Sequence, residues 1–149
     1  MMLDRIRSEH EELVRRVSAL RRQLLEGRED KALVYSATEV GRLLEHVDDE
    51  DLFLRRVVDL KPELAEWVND ARDSEIVIHD LLTEIRMGGS DIRRLIEDLI
   101  AAIEGHLEEA RLRLLPKLES ALSADELAMI EQNLAEAREH SGQDGSIYF

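Results

Sequence analysis

The sequence predicts an all-α fold: an up-down-up-down four-helix bundle with an additional short C-terminal helix. Three observations predict it. Apolar residues recur at alternating steps of three and four along most of the chain, which is the period of one helix face. Gly27, Pro62, Gly88 and Gly89 fall between those stretches, where chain breaks belong. Aromatic residues make up only 3%, too few for a small β domain. A length of 149 residues suits one domain.

The first helix is expected from about Leu3 to Glu26, stopped by Gly27, with Leu3, Ile6, His10, Leu13, Val17, Leu20 and Leu24 on its seam. The second runs from about Lys31 to Leu60, with Val40, Leu43, Val47, Glu50, Leu54 and Val57. Lys61-Pro62 turns the chain into the third, Pro62 to Met87, with Leu64, Val68, Ala71, Glu75, Ile78, Leu82 and Ile85, stopped by Gly88-Gly89. Ser90 is read as the cap of the fourth, which runs to about Ala121 with Ile92, Ile96, Leu99, Ile103, His106, Ala110 and Leu114. Pro116 lies inside that helix and should kink it one turn earlier, near Leu112. Ser123 and Glu126 form a capping box that opens the short fifth helix, ending near His140. Residues 1–140 thus form the bundle with its extra helix, and 141–149 a loose tail.

Composition narrows the function. Lys plus Arg total 20 against 34 Asp plus Glu, a net charge of -14 that repels nucleic acid and anionic membrane surfaces. With no cysteine there is no disulfide, zinc-thiolate site, iron–sulfur cluster or thiol nucleophile. No stretch is apolar enough to span a membrane, and the opening residues do not read as a signal peptide. The expected location is cytoplasmic.

The seams share one irregularity. His10 interrupts the first, Glu50 the second with His46 one turn before it, Glu75 the third with His79 one turn after it, and His106 the fourth. His10 and His46 lie at similar heights, each roughly 23 Å from the first turn at 1.5 Å per residue. A single seam histidine is ordinarily a core residue satisfied by a neighbour. Polar residues breaking all four seams would cost several kcal/mol if each were buried independently. A metal ion satisfies them together. Imidazole and carboxylate without sulfur suit iron, manganese or zinc, and six candidate ligands exceed what one tetrahedral zinc takes. That favours two carboxylate-bridged metals, iron first among them. Glu-x-x-His and His-Glu-x-x-His are both absent.

The ordered set LDRIRSEHEEL around His10, HVDDEDLF from His46 to Glu50, His79, HLEEARLRLLPKL around His106, and LSADEL at 122–127 resembles the hemerythrin-like, or HHE cation-binding, family. The resemblance covers about Leu3 to Ala137. It implies a centre of two non-haem iron ions, bridged by oxo or hydroxo and carboxylates, that binds dioxygen, peroxide or nitric oxide. Carried over by position, the ligands are His10, His46, Glu50, His79 and His106. The chain departs from the family twice. Glu75 stands where the family commonly has histidine, and Ala110 and Arg111 stand where it has a second bridging carboxylate. Glu109, on a neighbouring face, is the candidate substitute. Such a carboxylate-rich centre suits peroxide chemistry, including catalase-like decomposition, or sensing better than reversible oxygen carriage. A metal-free helical interaction module and an iron storage or transfer protein stay open as alternatives, and oligomeric state is not legible.

Overall fold

The computed structural model describes the backbone of residues 2–42, 47–88 and 91–147, and their side chains apart from 37, 47–49 and 138–147. The chain is all-α, and no strand occurs among the described residues. Helix α1 is Met2–Leu25 and α2 is Glu29–Tyr35, continued by a π-helical turn, Ser36–Val40. Helix α3 is Val47–Leu60. A 3-10 turn, Pro62–Leu64, leads into α4, Ala65–Arg86. Helix α5, Ile92–Glu109, passes through a second π turn, Ala110–Leu114, into α6, Leu115–Ala121, and α7 is Ala124–Ile147. Helix α5 packs against α1, α2 and α4, while α3 packs against α4 and α7.

The local chemistry explains the boundaries. Gly27 adopts φ +72, donating to the Leu24 carbonyl at 3.1 Å while Arg28 N–H reaches Gln23 O at 2.9 Å, so α1 closes in a left-handed cap. Gly88, at φ +75, closes α4 in the same sense. The capping box is formed: Ser123 N–H donates to Glu126 Oε1 at 2.9 Å, and Glu126 N–H to Ser123 Oγ at 3.1 Å. Proline's missing N–H leaves the Leu112 carbonyl without its usual donor four residues on. Around that carbonyl the helix widens into the second π turn, closed by Leu115 N–H to Ala110 O.

Three expectations change. The cap of α5 is Asp91, whose side chain accepts from Arg94 N–H at 3.2 Å; Ser90 lies outside the described residues. The stretch expected as one helix from Lys31 to Leu60 contains the π turn at Ser36–Val40. There Ser36 Oγ donates to Leu33 O at 2.9 Å and Thr38 Oγ1 to Val34 O at 2.7 Å, hydroxyls that compete for helix carbonyls. Finally, α7 runs past His140 to Ile147. Gly142 and Gly145 lower helix propensity without a proline to end the helix outright.

The core falls into two clusters. One gathers Leu3 and Ile6, Phe53 and Val57, Val68, Leu118, Leu127 and Ile130. The other gathers Leu13, Leu20, Ile78, Leu82, Ile96 and Ile103. Along α1 the division falls between Ile6 and Leu13, and along α4 between Ala71 and Ile78. Those two intervals hold His10 and Glu75.

Two glycines test the backbone account. Gly27→Ala places a side chain in the left-handed region and should cost about 1 kcal/mol. Gly105, inside α5 with open space where a Cβ would stand, should gain about 0.5–1 kcal/mol on Gly105→Ala. Urea unfolding of both variants checks the opposite signs.

Candidate metal centre

The seam of α4 steps 71, 75, 78, 82, so Glu75 points inward with Ala71, Ile78 and Leu82. On α5 the seam brings in Ile103 and His106, and both are buried. Glu50 on α3 is 5% exposed, and His10 on α1 retains 12% of its side-chain surface. One ligand atom from each of His10, Glu50 and His106 lies within 4.8 Å of the other two. A metal with ligands at about 2.1 Å sets them about 3–4 Å apart, so a small contraction closes this group on an ion.

The group is electron-rich. His10 Nε2 stands 3.5 Å from Glu50 Oε1, and His106 Nε2 stands 3.8 Å from Glu75 Oε1. The two imidazoles meet edge to face, with centroids 6.1 Å apart. Ser74 Oγ donates its only hydrogen to Ala71 O at 2.8 Å and lies 2.5 Å from His106 Nδ1. The serine oxygen therefore accepts from Nδ1–H, and His106 Nε2 carries its lone pair toward the carboxylates. Burial, then the nearby His10, pushes the His106 pKa down to about 4, against a smaller upward pull from Glu50 and Glu109. The imidazole is neutral at pH 7, the state in which nitrogen binds a metal. Two imidazoles and a carboxylate are the donor set of non-haem ferrous sites with open positions. The residues present fit such an ion on their chemistry.

The surroundings fix these side chains. Asp51, next to Glu50, pairs with Arg55 at 2.9 Å and with Arg72 of α4 at 2.8 Å, so it ties α3 to α4 beside the group. A cavity of about 10 Å³, roughly the room of one water molecule, is bordered by His10, Glu75, His79 and His106 under Leu13, Ile78 and Ile103.

The remaining candidates stand as follows. His46 lies outside the described residues. His79 borders the small cavity but is exposed, because the α4 seam passes through Ile78 and leaves the next residue about 100° round the helix. Glu109 is exposed and bonded to Arg113 at 3.2 Å, while buried Ala110 takes the inward position. Glu75 is 8% exposed and beside His106, though outside the three-atom group.

Sequence reading misses Glu9 and Ser74. The Glu9 carboxyl shares a hydrogen bond with Glu50 and is pushed above the usual carboxylate range, by burial first and then by that neighbour, with Arg5 pulling it back. In sequence it reads as the exposed partner of Arg5, which it also is, at 3.2 Å. Its neighbour lies 41 residues away, and no periodicity reveals that. Ser74 sits immediately before a seam glutamate, a position that carries no signal of its own.

Ser74→Ala removes the group that orients His106, and losses of this kind weaken metal binding about 10–100-fold. Competition against a chromophoric chelator should show that loss, and Ser74→Thr should recover part of it. No known family pattern, curated protein or solved structure matches the chain.

Proposed function

We propose that this chain is a hemerythrin-like non-haem di-iron protein, a four-helix up-down-up-down bundle, that binds dioxygen, peroxide or nitric oxide in oxidant handling or sensing. The observation that carries the reading is the buried convergence of His10, Glu50 and His106, one residue from each of three helices. The order of pieces that resembles the hemerythrin-like family supports it independently. Bound iron would supply a redox-active Lewis acid with positions open to a small oxidant.

The chain's own residues divide the work. His10, Glu50 and His106 hold the first ion. Ser74 keeps the His106 lone pair aimed inward. Leu13, Ile78 and Ile103 line the small cavity beside it, which limits water there to about one molecule. Glu75, 3.8 Å from His106 Nε2, would help hold a second ion together with further donors, from His46 or from inward rotation of exposed His79 or Glu109. The Glu9 carboxyl, hydrogen-bonded to Glu50, is placed to exchange a proton with that ligand. No helix among the described residues is long and apolar enough to cross a membrane.

The test is iron content after expression with iron. Two ions per chain with near-ultraviolet ferric absorption are expected, falling below one on Glu50→Ala or His106→Ala. One ion per chain overturns the paired centre and retains the triad. A colourless protein holding under a tenth of an ion overturns the iron reading and leaves a metal-free helical module. Iron that accumulates well beyond two per chain points instead to storage.

A further inference from the structure

A small oxidant needs the room of a few atoms, and the cavity of about 10 Å³ beside His10 and His106 matches that scale. His10 also lines a second cavity of about 440 Å³ between α1 and the α5–α6 limb. That volume lies within the range of sites that enclose small organic molecules. It is far larger than dioxygen, peroxide or nitric oxide requires.

Its lining says what would fit. Val17, Leu107 and Leu115, all buried, give it an aliphatic floor. Val14 also lines it and stays 52% exposed. Arg7, Arg21 and Arg111 are met there by Glu11, Glu104 and Glu108, so the charges of the lining cancel. Two of the arginines are already engaged: Arg21 pairs with Glu104 across the gap from α1 to α5, and Arg7 pairs with Glu119 of α6. In a chain of net charge -14, this wall selects neither anions nor cations by its net field. The apolar floor is left as the main recognition element.

We infer that this cavity binds an uncharged organic molecule with an apolar body and holds it beside the His10 imidazole. With iron on His10, the bound molecule is the centre's second substrate next to the small oxidant; that clause rests on the function proposed above. The cavity itself does not depend on it.

The experiment titrates full-length protein, metal-free and iron-loaded, with Nile red, an uncharged apolar fluorophore. Saturable binding is expected in both forms. Val14→Trp fills the cavity from an exposed position and should weaken binding at least tenfold, with Ser18→Trp on the same wall as a second variant. Val77→Trp, at an exposed site on α4, should leave binding unchanged. Absence of saturable binding, or equal binding by all variants, overturns the proposal. A sulfonated probe, anilinonaphthalene sulfonate, that binds at least as tightly as Nile red overturns the uncharged class. Nile red binding in a protein that holds no iron supports the cavity and overturns the iron reading. Iron without Nile red binding does the reverse.

Discussion

Ionisable groups taken out of water need a compensating partner, and His10, Glu50, Glu75 and His106 have most of their surface out of water together. Aliphatic clusters lie on either side of their layer. Each buried ion in such a setting costs several kcal/mol unless an opposite charge meets it. His106 cannot supply that charge at neutral pH, because burial holds it unprotonated. A cation held between the imidazoles and the carboxylates removes the deficit at one stroke, and donor orientation in the layer is consistent with that role. A layer so dependent on its contents also links folding to ligand binding, since the unfolded chain has no such group preformed.

The rest of the architecture can be read as support for that layer. Asp51 bonds to both Arg55 and Arg72, which fixes α3 against α4 at the level of Glu50. Ser74 bonds both to its own helix, at Ala71, and to His106 on α5. Just beyond His106, the π turn absorbs one extra residue, so that Ala110, Leu114, Leu115 and Leu118 are all buried as the chain passes into α6. Irregular helical turns of this kind are frequent near functional sites.

Apolar periodicity made much of this legible. From Leu64, in the turn before α4, to Ile85 every expected seam position is buried, because one face packs along the whole helix. The same periodicity exposes its own limit at His79. A histidine one turn from a seam glutamate looks inward on paper, yet the seam steps to Ile78 and carries His79 outward. Phe53, fully buried, was hidden beside Leu54 because the buried stripe of α3 is wide enough there to take in both. The place of the irregularity near Leu112 was legible because proline removes a backbone donor, but its form, a π turn, was not. The turn at Ser36–Val40 was not, because serine and threonine bend a helix only when their hydroxyls turn back to its carbonyls. Contacts between distant residues, such as Glu9 with Glu50, leave no local pattern at all.

The central claim is that the polar layer is built around a metal ion. Anomalous diffraction from crystals of iron-loaded protein, measured on both sides of the iron absorption edge, tests it most directly. The account predicts a peak within bonding distance of His10, Glu50 and His106 that vanishes below the edge. Iron peaks confined to surface carboxylates, with the layer holding only water or hydrogen-bonded side chains, would contradict it.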